Sequence, residues 1–210
     1  MRPGSLLVKR TFDLIFGASA LVILSPLFFV LVLLVLVGVG RPILFRQERL
    51  GYKGQPFTLL KFRTMTDRRD DAGELLSDDD RITRIGRFLR STSLDELPEL
   101  INVLRGEMSL VGPRPLLAEY GPLYSVDQAR RHEVPPGLAG PVMAEGRNAL
   151  TWEEKFKWDV WYVDNWSLWL DFKILGKSVG KLISREGVSP EGRATMEKFQ
   201  GSRVNGPEDR

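Results

Sequence analysis

The sequence predicts a mainly helical α/β domain with a few short strands, held to a membrane by its N-terminus. Three observations carry this reading. Residues 14–40 form an uncharged run of 27, two strand-like segments flank a turn-rich stretch, and helical stripes rich first in arginine and then in tryptophan follow.

The uncharged run is longer and more apolar than a soluble core helix needs, and its length suits a membrane segment. Lys9 and Arg10 precede it; Arg41, Arg46 and Arg49 follow. Positive flanks mark the cytoplasmic side, and a simple spanning helix keeps only one end there. A bent, re-entrant hairpin keeps both. Ser25 and Pro26 stand near the middle of the run. The proline removes a helical N–H and favours a kink, while the serine hydroxyl can serve a carbonyl freed at the bend. Three arrangements remain open on these residues alone: the bent hairpin, one tilted crossing, and a hairpin buried in a core. A cleaved signal fits poorly, because no cleavage box precedes the patterned sequence after residue 40.

The sequence divides into a basic flank and membrane hairpin (1–40), a membrane-apposed domain (41–189) and a polar, Gly-rich tail (190–210) expected to be loose. Segments 42–45 and 57–62 read as short strands around Gly51-Tyr52-Lys53-Gly54-Gln55-Pro56. Seven acidic residues within 67–80 suit a solvated loop. Ile82, Ile85, Phe88 and Leu89 then recur at helical spacing among Arg81, Arg84, Arg87 and Arg90, with an interruption or cap expected near Gly86. Leu94, Leu97, Leu100, Ile101 and Leu104 form the next stripe. Ser93 and Glu96 have capping-box spacing for its start, although Pro98 allows the helix to begin later. Two prolines stiffen Leu110-Val111-Gly112-Pro113-Arg114-Pro115. All five tryptophans fall within 152–169, mixed with lysines, as interfacial helices beside a bilayer would require.

Composition excludes several chemistries. There is no cysteine, hence no disulfide, thiolate nucleophile or thiolate metal site, and the single histidine, His132, excludes a His-rich zinc centre. A net charge of +3 from 30 basic and 27 acidic residues suits phosphate-bearing ligands or an anionic membrane better than nucleic acid. Asp95 and Glu96 are adjacent carboxylates near a helix start, surrounded in sequence by Arg81, Arg84, Arg87, Arg90, Arg105 and Arg114. Such a pair is commonly a solvated cap. In this cationic setting an ionised Asp can instead attack phosphorus, and its neighbour can hold Mg²⁺, which prefers oxygen ligands.

These residues and their order closely resemble the bacterial monotopic phosphoglycosyl transferases, also called the bacterial sugar transferase family. The resemblance runs from Lys9-Arg10-Thr11-Phe12-Asp13 through Ser25-Pro26, Lys61-Phe62-Arg63-Thr64-Met65, Ser93-Leu94-Asp95-Glu96-Leu97-Pro98 and Gly112-Pro113-Arg114-Pro115. It continues to Gly146-Arg147-Asn148 and Trp166-Ser167-Leu168-Trp169-Leu170-Asp171. It implies a re-entrant helix broken at Ser25-Pro26 on the cytosolic face of the bacterial inner membrane. It implies that Asp95 attacks a UDP-sugar, that UMP leaves, and that polyprenyl phosphate collects the sugar phosphate to start a surface glycan. Asp95 and Glu96 carry over as the catalytic and metal-holding dyad for Mg²⁺, or Mn²⁺ in its place. Arg114, Arg63, Arg87, Arg90 and Arg147 carry over as nucleotide or phosphate contacts, with Lys61, Asp159, Pro113 and Pro115 in support. The partners implied are the UDP-sugar donor, the polyprenyl phosphate acceptor, the phospholipid bilayer and downstream glycosyltransferases. A homodimer is compatible with the apolar and Trp-rich faces, and no nucleic acid is expected.

One departure stands out. Where the family usually has Pro-Gly-Thr-Gly-Trp-x-Gln, this chain has Pro136-Gly137-Leu138-Ala139-Gly140-Pro141-Val142-Met143, without the threonine and the amide. That bears on sugar or nucleotide recognition more than on the chemical step. Competing readings are a lipid-phosphate enzyme without a covalent step and a membrane-bound scaffold for an export complex.

Overall fold

The computed structural model describes residues 3–145, 150–184 and 198–201. Helix α1 (Pro3–Ile23) and helix α2 (Ser25–Gly38) meet at a 63° bend. Ser25 Oγ donates to the Val22 carbonyl at 2.8 Å, and Pro26 sits in the first turn of α2, where a helical N–H has no partner to lose. Among the described residues no single helix is long and apolar enough to cross a membrane; the bent pair meets that test only together. One face of the pair packs on the domain through Phe12, Leu31 and Val35, while Val22, Ile23, Phe29 and Val37 remain exposed. So much uncovered apolar surface is unusual for a soluble monomer.

Strand β1 (Leu44–Leu50) pairs antiparallel with β2 (Pro56–Phe62), from Leu44 opposite Phe62 to Leu50 opposite Pro56. The first strand runs well past the apolar segment 42–45, because its ladder with β2 carries the polar residues Arg46, Gln47 and Glu48 along. After a loop and a single turn, α3 (Asp78–Arg81), comes α4 (Arg84–Ser91), capped by Thr83 Oγ1, which accepts from the Gly86 N–H at 2.9 Å. Gly86 does not interrupt this helix. A Cβ there would meet the Thr64 carbonyl oxygen at 1.9 Å, so the glycine lets α4 lie directly on the chain leaving β2.

The capping box expected at Ser93 is absent. Ser93 takes left-handed backbone (φ 53°) and makes no side-chain cap, Leu94–Glu96 forms a 3-10 turn, and α5 (Glu99–Arg105) begins after Pro98. The later of the two starts is the one adopted, because the Glu96 carboxylate is engaged elsewhere. Strand β3 (Ser109–Val111), α6 (Val126–Ala129) and β4 (Gly137–Ala139) follow, β3 and β4 pairing in parallel. Close contact of these backbones requires glycine: a Cβ at Gly137 would lie 1.9 Å from the Gly112 nitrogen. The short α7 (Pro141–Glu145) leads toward α8 (Trp152–Asn165), which opens on a capping box between Thr151 and Glu154, and then α9 (Leu168–Ser184).

The main core gathers Phe12 of α1, Leu100 and Val103 of α5, Val111, Tyr162 and Ile174. Polar ties fix the first helix to it. Lys9 Nζ reaches Asp171 at 2.7 Å in the interior, where Tyr162 and Trp166 also donate to that carboxylate. Arg10 donates to the Val103 and Leu104 carbonyls at the end of α5. The tryptophans divide: Trp152 and Trp166 pack against the domain, whereas Trp161 and Trp169 are exposed. Of the tail, 198–201 is described, and there Lys198 and Gln200 are exposed. Phe199 is buried among Tyr120, Trp152 and Phe156.

Candidate active site

Three pieces of backbone converge on the dyad. The 3-10 turn carries Asp95 and Glu96, β2 supplies Lys61, and the loop after β3 supplies Arg114 between Pro113 and Pro115. The left-handed Ser93 before the turn costs about 1–3 kcal/mol for a residue with a Cβ. It leaves both carboxylates buried on the domain side rather than solvated at a helix end.

Glu96 is the neutralised member of the pair. Lys61 Nζ donates to its Oε1 at 2.7 Å, and Arg114 forks onto both oxygens, Nη2 to Oε1 and, at 3.4 Å, Nη1 to Oε2. Burial alone would raise this carboxyl, but Arg114 and Lys61 overcome that and hold it well below the usual carboxylate range. The same attraction raises the Arg114 guanidinium above its ordinary value. Lys61 also reaches Glu99 Oε1 at 3.2 Å, and burial pushes Glu99 up to about 7, against the pull of Lys61 and with the push of Glu96.

Asp95 is pushed up to about 6, first by burial and then by the charge on Glu96, with Lys61, Arg90 and Arg114 opposing. It is thus ionised at neutral pH, beside three cations of which two are already committed to Glu96. Arg90 hydrogen-bonds Thr64 Oγ1 at 3.1 Å. The Arg114 side chain stays 42% exposed, so a ligand in solution can touch it.

A further layer sets the Arg114 backbone. Arg131 donates to the Arg114 carbonyl at 2.6 Å and pairs in the interior with Asp159 at 2.7 Å. The altered loop 136–143 arrives at the same place: the Gly137 N–H donates to the Pro113 carbonyl at 2.9 Å, and Met143 Sδ lies 3.9 Å from Arg114 Nη1. The residues by which this chain departs from the usual pattern therefore border the guanidinium.

A profile of known proteins, described as bacterial sugar transferase, matches residues 4–185. The chain belongs to the bacterial sugar transferase family. Its relatives include the sugar transferase EpsL of Bacillus subtilis, 51% identical over 197 residues, covering 94% of this chain and 98% of that protein. The UDP-galactose-lipid carrier transferase of Erwinia amylovora is 41% identical over 89% of this chain, which spans only 42% of that longer protein. The UDP-glucose:undecaprenyl-phosphate glucose-1-phosphate transferase of Caulobacter vibrioides is 38% identical, over 89% of this chain and 76% of its own length.

Within this family member, Asp95, Glu96, Lys61, Arg90 and Arg114 come together as a cluster, and Asp159 stands behind Arg114. Arg63 is turned elsewhere, to Asp67 and the Arg41 carbonyl, and Arg87 is exposed on α4. Arg147 lies outside the described residues. Sequence reasoning missed Glu99 and Arg131. The one available signal for Glu99 was its helical offset from Glu96, and nothing local marks Arg131.

Among the described residues no three carboxylates or imidazoles are grouped to hold a metal unaided. The donor set nevertheless fits Mg²⁺, which binds through one or two carboxylates together with substrate phosphates. Glu96 Oε2 carries only the longer Arg114 contact, leaving it lone-pair capacity.

Proposed function

We propose that this chain is a UDP-sugar:polyprenyl-phosphate sugar-1-phosphate transferase that works through a phosphosugar–aspartyl intermediate on Asp95. The observation that carries the reading is the division of labour in the dyad: Glu96 is neutralised by Arg114 and Lys61, while Asp95 is buried, ionised above about pH 6 and, among the described residues, held in no salt bridge of its own. The transfers from UDP-glucose and of galactose named for the relatives support the substrate class.

An oxygen of Asp95 attacks the sugar-linked phosphorus of the UDP-sugar, and the bond from that phosphorus to the bridging oxygen breaks, releasing UMP. A phosphate oxygen of polyprenyl phosphate then attacks the acyl phosphate, returning the Asp95 carboxylate and giving a polyprenyl diphosphate sugar. Neither attack demands proton removal from an alcohol, which suits a site without a histidine base. Arg114 and Arg90 offset charge on the phosphates, and Lys61 holds Glu96 in place. Mg²⁺, or Mn²⁺, held by Glu96 with Asp95, would neutralise diphosphate charge when bound.

The bent apolar pair α1–α2 and the exposed Trp161 and Trp169 support a re-entrant seat in the cytosolic leaflet of the bacterial inner membrane. Such a seat brings a lipid acceptor to the dyad without moving it through water. The product would feed downstream glycosyltransferases building an exopolysaccharide, capsule or O-antigen.

The test is UMP release by the purified protein in detergent with Mg²⁺ and a panel of UDP-sugars, with and without polyprenyl phosphate. A stoichiometric burst of UMP without acceptor, lost in Asp95→Asn, is expected. UMP appearing only when acceptor is present would replace the covalent route with direct transfer, and release persisting in Asp95→Asn would move the chemistry to another residue.

A further inference from the structure

A groove of about 830 Å³ lies between the bent helix pair and the first strand. Phe28 and Val32 of α2 and Ile43 and Phe45 form its apolar walls, and Arg46 and Arg63 stand on its lining. Phe28, Val32 and Ile43 of this lining also belong to the second core cluster, in which Phe28 and Phe62 pack with ring centroids 5.0 Å apart.

Four consecutive residues connect this groove to the dyad. Lys61 binds Glu96, Phe62 packs on Phe28 of the groove wall, Arg63 lines the groove, and Thr64 accepts from Arg90, whose charge acts on Asp95. The Arg63 guanidinium is nearly buried and pairs at 2.6 Å with Asp67, whose own side chain is 69% exposed. A carboxylate so open to water is a weak partner, and a phosphate forking onto the same guanidinium would displace it.

The groove is thus apolar along α2, with Arg46, Arg63 and Asp67 as its charged lining, and α2 exposes Phe29 and Val37 to whatever covers its outer face. We propose that it holds polyprenyl phosphate, with the first isoprenoid units against Phe28, Val32 and Phe45 and the phosphate on Arg63 and Arg46. The assignment rests on the transferase reading above and deepens it by separating the acceptor's seat from the donor's, which centres on Arg114.

The experiment varies polyprenyl phosphate at saturating UDP-sugar for the wild type, Arg63→Ala and Phe45→Glu, the second altering a side chain that is already exposed. Loss of a charge-assisted phosphate contact is expected to raise the acceptor KM about tenfold or more. In Phe45→Glu the donor KM and the acceptor-free UMP burst should stay at wild-type values, which also shows that this variant folds. Unchanged acceptor KM in both variants of an active enzyme overturns the groove assignment. So does equal competition by excess phosphatidylglycerol, which would make the groove a general phospholipid seat. A wild type that releases no UMP overturns the transferase reading instead.

Discussion

Arg114 grips Glu96 through both terminal nitrogens of its guanidinium, from a loop 18 residues away in sequence. The grip depends on a planar fork, and prolines on either side hold the backbone that presents it. Lysine would keep the charge and lose the fork. Arg114→Lys is therefore expected to lower kcat/KM for UMP release by about ten- to a hundredfold, as loss of one or two charge-assisted hydrogen bonds implies. Steady-state kinetics with varied donor check this; activity within twofold of wild type would mean that charge alone suffices.

The raised Asp95 carboxyl makes rate and stability depend on pH in opposite directions. Attack needs the ionised form, so the UMP burst should fall about tenfold per unit as pH drops below about 6. For stability, a folded-state value above the ordinary 3.8 means a contribution fully present below 3.8 and lost as pH rises through about 6. At pH 7.5 the buried charge is a cost. Asp95→Asn should therefore raise stability by about 1–2 kcal/mol at neutral pH, with the gain vanishing near pH 4. Thermal melts of the two proteins across that range test it, and a gain independent of pH would contradict the assignment.

Arg131 and Asp159 form an interior pair that also holds the Arg114 carbonyl. Removing one partner leaves the other charge buried, which costs about 3–5 kcal/mol, whereas removing both costs less than the sum. A double-mutant cycle with Arg131→Met and Asp159→Asn, read by denaturation in detergent, should show this coupling. Strict additivity would mean that the two do not act as a pair.

Phe199 plugs a ring of Tyr120, Trp152 and Phe156, and Lys198 pairs with Glu119 at 3.2 Å. Phe→Ala at a packed core position costs about 3–5 kcal/mol, more than a short segment anchored mainly by one ring can lose. Phe199→Ala is expected to release the segment and wet Trp152, shifting tryptophan emission to the red and speeding proteolysis near residue 198. Unchanged emission and proteolysis would show that the ring is not the anchor.

The sequence by itself determined what depends on neighbours along the chain. The length of the uncharged run, the break at Ser25-Pro26 and the amphipathic stripe of α4 are local properties, and each reappears in the fold. The adjacency of Asp95 and Glu96 is local too. Only the tertiary structure decided how the two differ. Lys61 reaches Glu96 across 35 residues and Arg114 across 18, and these pairings neutralise one carboxylate and leave the other. The same pairings explain why Ser93 and Glu96 do not close a capping box: a carboxylate held by two cations does not fold back to a backbone N–H. Glu99 and Arg131 escaped the sequence reading because burial and long-range charge give them their roles, and neither is written in the residues beside them.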